Sequence, residues 1–210
     1  MQQIGLPFPG SQDTFATAIN DNGTIVGGHS QHNEGPGGGH FQELGYVRYP
    51  SGLLREITSP DPIHLDNTWA ADCNNADLVV GSLFEPLASH RPIQYDSSGT
   101  VQVLDNAVFV IAQANSVNAS GTIVGNRNGL GFVFKNGGFL DLQPLPLGQG
   151  TNCYAWAVND SGIIAGGSIP LNDHVQGQRA TFWLGGGMPN DLNSVVTNLW
   201  NWRLNRAAAR

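Results

Sequence analysis

One twelve-residue pattern recurs four times along the chain, and it limits the fold more than any other feature. Ala16-Thr-Ala-Ile-Asn20-Asp-Asn-Gly-Thr-Ile-Val-Gly27 aligns with Ala114-Asn-Ser-Val-Asn118-Ala-Ser-Gly-Thr-Ile-Val-Gly125 and with Ala155-Trp-Ala-Val-Asn159-Asp-Ser-Gly-Ile-Ile-Ala-Gly166. A more divergent copy runs Ala70-Ala-Asp-Cys-Asn74-Asn-Ala-Asp-Leu-Val-Val-Gly81. Every copy has Ala four residues before a fixed Asn and Gly seven residues after it. Phe15, Trp69 and Tyr154 place an aromatic residue just before the Ala in three of them. The anchors Asn20, Asn74, Asn118 and Asn159 are 54, 44 and 41 residues apart. Self-similarity at this period is the mark of a repeat architecture.

The pattern reads as a hairpin. A short strand of small and apolar residues ends at the Asn, and Asn-Asp-Asn-Gly or Asn-Asp-Ser-Gly makes a tight turn. In that turn the Asx side chains bond nearby backbone, and Gly takes the positive-φ position. A β-branched strand such as Thr24-Ile25-Val26 returns. Gly27, Gly81, Gly125 and Gly166 are expected to end it where another backbone comes close.

A third strand is expected at Tyr46–Tyr49, Pro92–Tyr95, Phe132–Phe134 and Thr181–Trp183, each followed by a Gly-containing turn. A fourth follows at Leu53–Ile57, Val101–Leu104, Phe139–Leu142 and Asn190–Leu192. Four strands in about 45 residues is the period of a propeller blade. A sandwich leaves the repeat unexplained, and a β-helix uses a shorter one. The expected fold is therefore all-β, a single domain over 1–210 forming a small β-propeller of four four-stranded blades. Five blades, with one shared by the termini, is the alternative.

These elements resemble a known family. The run AxAINDxGxIVG, the aromatic strand after it and the later Gly-Gly-x-x-x-Asp-Leu are similar to the HAF repeat of bacterial extracellular-repeat proteins. The resemblance covers most of the chain and implies an all-β, propeller-like fold. It implies no catalytic residue, because the repeat motif is structural.

The ends fall out of phase with the repeat. Met1–Gly10 reads like the closing strand of a copy, and Trp202–Arg210 like the opening strand of a further one. Pairing the two termini within one blade would remove exposed sheet edges. Pairing the terminal strand with a neighbouring chain is the other possibility.

Composition narrows the function classes. The 210 residues carry a net charge of −7 and a pI near 5.1, which speaks against nucleic acid as a main partner. No apolar run reaches the roughly 18 residues needed to span a bilayer, so membrane insertion is not expected. The N-terminus has neither the basic patch nor the apolar run of a signal peptide. Synthesis in the cytoplasm follows, with an extracellular location if a signal was removed. Cys73 and Cys153 read as buried free thiols, since Cys73 stands where other copies carry Ile or Val.

Candidate chemistry sits outside the repeat motif. His29, His32, Glu34 and His40 lie in a Gly-rich stretch between second and third strands, expected as a long exposed loop. His-x-x-His with a carboxylate suits a transition metal, but metal sites need rigid support. A long exposed loop without a metal is the better reading, and recognition by that loop is the second. Asp61, His64 and Asp66 near Trp69, and Asp173-His174 in the loop from Pro170 to Arg179, are further acid–base candidates. No nucleophile elbow or His-Glu-x-x-His motif accompanies them. Asn20-Asp21-Asn22-Gly23 lacks the distal bidentate Glu of a calcium loop, so no cofactor is expected. The tail from Asn198 gathers Trp200, Trp202, Arg203, Arg206 and Arg210, residue types that anchor interfaces. Residues 198–210 are expected to close the ring or to dock on a partner.

Two function classes remain. The first is a non-enzymatic interaction module offering loops to a protein or glycan partner. It would belong to a larger assembly such as a phage fibre or decoration subunit, with homo-oligomer formation a possibility. The second is a glycan-acting hydrolase or lyase with its site at the mouth of the propeller channel, drawing on His64, His174 and nearby carboxylates.

Overall fold

The computed structural model describes residues 11–35, 38–60, 67–84, 90–107, 110–147, 150–170 and 177–196, with side chains left out over 33–41. Each copy of the repeat is one four-stranded antiparallel sheet whose strands pair in chain order. The first contains β1 (Ser11–Ile19), β2 (Ile25–Gly35), β3 (Gly38–Arg48) and β4 (Leu54–Ile57). The second contains β5 (Asn67–Cys73), β6 (Val79–Phe84), β7 (His90–Tyr95) and β8 (Val101–Val103). β9 (Ala112–Val117), β10 (Ile123–Arg127), β11 (Leu130–Lys135) and β12 (Gly138–Asp141) form the third. β13 (Thr151–Val158), β14 (Ile163–Pro170), β15 (Arg179–Leu184) and β16 (Pro189–Asp191) form the fourth, before the short helix α1 (Leu192–Val195). Among the described residues no helix is long and apolar enough to cross a membrane.

The hairpin motif folds as its chemistry requires. Asn20 N–H donates to Thr24 O and Gly23 N–H to Asn20 O, closing a three-residue turn. The same pair of bonds recurs at Asn74, Asn118 and Asn159. The residue before the returning strand is left-handed each time: Gly23 at φ 86°, Gly121 at 76°, Gly162 at 77°, and in the divergent copy Asp77 at 58°. The Asn side chain completes the turn, its Oδ1 accepting from Thr24 N, Leu78 N, Thr122 N and Ile163 N in the four copies. Outside the motif, Asn128-Gly129 and Asn136-Gly137 each put two consecutive residues at positive φ, the requirement of a two-residue type I′ turn.

Two sequence expectations differ from the structure. Gly27, Gly81, Gly125 and Gly166 do not end their strands but lie inside β2, β6, β10 and β14. Each stands opposite a bulge in the first strand, where Thr17, Ala71, Asn115 or Trp156 is the extra residue. The bulge turns a carbonyl inward, and a Cβ on the glycine would overlap the oxygen of Phe15, Trp69, Gln113 or Tyr154. Close backbone approach is thus the reason for the glycine, though within the sheet. The second difference is the stretch expected as a long loop after Gly27. β2 and β3 instead continue as a paired ribbon down to Gly35 and Gly38. Backbone ladder bonds do not depend on side chains, so a Gly-rich sequence can still be held in register by its partner strand.

The chain divides into two compact units, Met1–Val110 and Ile111–Arg210. In the first, the core joins Val26, Val47 and Ile57 of one sheet to Ala70, Cys73, Val79, Leu83, Ile93 and Tyr95 of the next. In the second, Val124, Val133 and Leu142 meet Cys153, Ala155, Val158, Ile164 and Trp183 in the same way. The apolar face of one sheet is therefore covered by its successor, and β-branched residues fill the contact.

Polar bonds fix the stacking, and the motif Asn works twice. While its Oδ1 closes its own turn, Asn20 Nδ2 donates to Asn74 O at 2.8 Å and to Asp77 Oδ1 at 3.0 Å. Asn118 Nδ2 donates to Asn159 O at 3.1 Å in the second unit. The bulge residues add a second tie, Thr17 Oγ1 donating to Ala70 O and Asn115 Nδ2 to Ala155 O, both at 2.7 Å. Both thiols are buried and free, as expected. Burial pushes the Cys73 thiol up to about 12 and raises that of Cys153 as well.

Candidate functional site

Of the residues singled out in the sequence, His29 has the most developed surroundings. Expected on an exposed loop, it lies in β2 with no exposed surface, because the ribbon keeps that segment in the sheet. It stands two residues beyond Gly27, at the register where the second sheet carries the core residue Leu83. Its Nδ1 is 3.0 Å from Ser11 Oγ, and its Nε2 is 3.1 Å from Glu56 Oε1. Burial lowers its pKa below the ordinary value, and the neighbouring Glu56 only partly opposes the shift. The ring is therefore neutral near pH 7. With its one proton on Nε2 toward the carboxylate, Nδ1 accepts from the serine hydroxyl.

Carboxylate, neutral imidazole and hydroxyl in line are the ingredients of a base-activated serine. Here the imidazole is fully buried and Ser11 is only 6% exposed, while the carboxylate reaches solvent. The arrangement ties β1, β2 and β4 together across the sheet. Neither Ser11 nor Glu56 was singled out in the sequence. The available signal was indirect: a histidine at an apolar register needs buried polar partners.

His32 is half-buried, farther along β2 and opposite Phe41. His40 lies in β3 opposite Asn33, beyond which only its backbone is described. This places all three histidines on the β2–β3 ribbon rather than on a loop. Among the described residues β1 pairs with β2 from Ser11↔Gln31 to Ile19↔Ile25, and β4 pairs with β3 from Gly45 to Arg48, while Glu43 N–H donates to Asn67 Oδ1. Trp200, Trp202, Arg203, Arg206 and Arg210 lie outside the described residues, as do Asp61, His64, Asp66, Asp173 and His174.

A second surface comes from the aromatic position of the repeat. Phe15 and Trp69, on successive first strands, have ring centroids 4.7 Å apart at 33°, and both are half-buried. Gly28 lies directly beneath the Phe15 ring, where a Cβ would strike it. The pair is a tilted aromatic contact between the first and second sheets. Among the described residues no group of three or more His, Cys, Asp or Glu side chains could hold a metal ion.

No family model matches the chain, and no curated protein sequence matches it. Among solved structures it is similar to the crystal structure of selenomethionine-substituted virginiamycin B lyase from Staphylococcus aureus. The TM-score is 0.41 at 11% identity, over 82% of this chain and 70% of that one.

Proposed function

We propose that the chain is a β-propeller-type repeat module that works by binding, within a larger assembly, and not by catalysis. The observation that carries this reading is the β2–β3 ribbon, whose strands of 11 residues each are the longest among the described residues. A long two-stranded ribbon is a docking element for a protein partner wherever its edge N–H and C=O groups are left to seek ladder bonds. The half-buried Phe15–Trp69 pair supports a glycan partner, because aromatic rings carry a large apolar contact area. Tail residues 198–210, rich in Trp and Arg, would add interface anchors. A virion fibre or decoration subunit is the kind of assembly in which such an all-β module serves.

The test replaces residues 33–40 by Asn-Gly, shortening the ribbon at a matched register. Binding to a panel of immobilised polysaccharides and to the chain's own assembly is measured alongside melting temperature. The reading expects intact melting and lost binding. The alternative is a glycan-acting enzyme, and the Ser11–His29–Glu56 line is the observation in its favour. Turnover of any panel polysaccharide that disappears in Ser11→Ala would overturn the binding reading.

A further inference from the structure

Asn followed by Gly occurs three times in the chain, at Asn22-Gly23, Asn128-Gly129 and Asn136-Gly137. It is the dipeptide most open to loss of the Asn amide, because glycine has no side chain to keep its backbone nitrogen away from the Asn carboxamide. The reaction needs that nitrogen free of a hydrogen bond, the carboxamide free to swing against it, and solvent around both. The fold treats the three pairs differently.

At Asn22-Gly23 both reacting groups are held. Gly23 N–H donates to Asn20 O at 3.0 Å, and Asn22 Nδ2 donates to Asn75 O at 2.8 Å. Asn128-Gly129 is clamped from two sides. Asn128 exchanges bonds with Ile111, its Oδ1 accepting from Ile111 N at 3.1 Å and its N–H donating to Ile111 O at 2.9 Å. Gly129 O accepts from Cys153 N at 3.1 Å, and a Cβ on Gly129 would stand 3.0 Å from Asn152 Oδ1. Asn136-Gly137 has none of this. Lys135, Asn136, Gly137 and Gly138 are all exposed, and ladder pairing stops at Lys135↔Gly138, which leaves Gly137 N outside it. Among the described residues no side-chain bond holds the Asn136 carboxamide, and nothing lies within 4 Å of a Cβ placed on Gly137.

We infer that Asn136 is a site of spontaneous modification, where the chain converts its own Asn-Gly turn to an isoaspartyl linkage while the fold shields the other two pairs. In the first step the Gly137 nitrogen forms a bond to Asn136 Cγ, and the Cγ–Nδ2 bond breaks. The proton of the glycine nitrogen leaves with the amide as ammonia, and a cyclic imide remains. Water then opens the imide at either carbonyl. One opening gives aspartate, and the other gives isoaspartate, with the main chain rerouted through the side chain. Nothing is oxidised or reduced, and water is the co-reactant. The rerouted chain carries an extra carbon in a two-residue turn whose length fixes the strand register. β12 is the strand at stake. Phe139 packs on Phe132 and Phe134 at 5.0 and 4.9 Å and lies under the Arg127 guanidinium at 5.3 Å. The inference goes beyond the binding reading and stands whether or not that reading holds.

Ageing the full chain at mildly alkaline pH and mapping its peptides by mass after acidic digestion tests this. Labelling with an isoaspartyl carboxyl methyltransferase supplies a second readout of the rerouted linkage. In the folded chain the exchange of NH2 for OH should gather at position 136 about tenfold or more faster than at 22 or 128, each retained hydrogen bond being worth about fivefold. In the chain unfolded by denaturant the three pairs should convert at similar rates. Melting temperature should drift downward as conversion proceeds. Asn136→Gly keeps a residue suited to positive φ but has no carboxamide, so its melting should show no drift. Equal rates at the three pairs in the folded chain would overturn the inference, as would an Asn136 that stays intact in the folded chain and converts only when unfolded. A converted chain that melts as the fresh one does would overturn the consequence drawn for β12.

Discussion

Exchanging the amide of Asn20 for a carboxylate, Asn20→Asp, separates the two tasks of the motif Asn. The oxygen that closes the turn onto Thr24 N is kept. The amide nitrogen, which donates to Asn74 O and Asp77 Oδ1, becomes an oxygen facing two oxygens at 2.8 and 3.0 Å. Two hydrogen bonds worth about 1 kcal/mol each are lost. Repulsion from Asp77 adds about 1–2 kcal/mol, taking a high effective dielectric because Asp77 is half-exposed. The total is about 3–4 kcal/mol, or a fall of roughly 6–16 °C in melting temperature for a chain of this size. Asn159→Asp is the comparison, because there the described contact is the turn bond to Ile163 N alone. It should cost less than about 1 kcal/mol. The introduced carboxylate at position 20 is held above its unfolded pKa, so the loss should shrink as pH falls and the protonated acid can donate again. Equal melting shifts for the two variants at pH 7 would show that the amide nitrogen does not join the repeats.

Three further outcomes are expected. Gly121→Val forces a β-branched residue to φ 76° and should destabilise by about 1–3 kcal/mol, read by thermal melting. Cys153→Thr should keep stability within about 1 kcal/mol, because a hydroxyl serves Gly131 N and Leu142 O as the thiol does. Cys153→Val orphans that N–H and should cost about 1–3 kcal/mol by denaturant titration. His29 takes up a proton more readily unfolded than folded, so stability should be full above its ordinary value of 6.5 and fall as pH drops below it. His29→Leu should remove that slope from melting temperatures measured between pH 7 and pH 5.

The parts of the fold that were legible in the sequence are those set by local chemistry. Asn, two residues, then a residue tolerant of positive φ specify a turn wherever they occur, and four copies specified four sheets. The Gly-rich stretch after Gly27 was misread because glycine disfavours strands by entropy, whereas here a full ladder from Ile25↔Arg48 to Gly35↔Gly38 holds it. Partners drawn from distant strands leave no local trace. Glu56 reaches His29 across β3, and only the assembled sheet brings them together. Cys153 looked like an inert thiol, and its role as the counterpart of Thr68 emerges only from the strand register.

The latch from one motif Asn to the next has a direction. In each of the two units the nitrogen points forward along the chain, from Asn20 to Asn74 and from Asn118 to Asn159. Within a unit the earlier copy thus supplies the plug and the later copy the matching socket, at the same position of the motif. Tandem duplication of such a segment delivers a compatible joint together with the new sheet, and excision of a whole segment leaves compatible ends behind. Inverting one segment relative to its neighbours would set nitrogen against nitrogen and carbonyl against carbonyl. Gain and loss of whole repeats therefore preserve the joint in a chain of this kind.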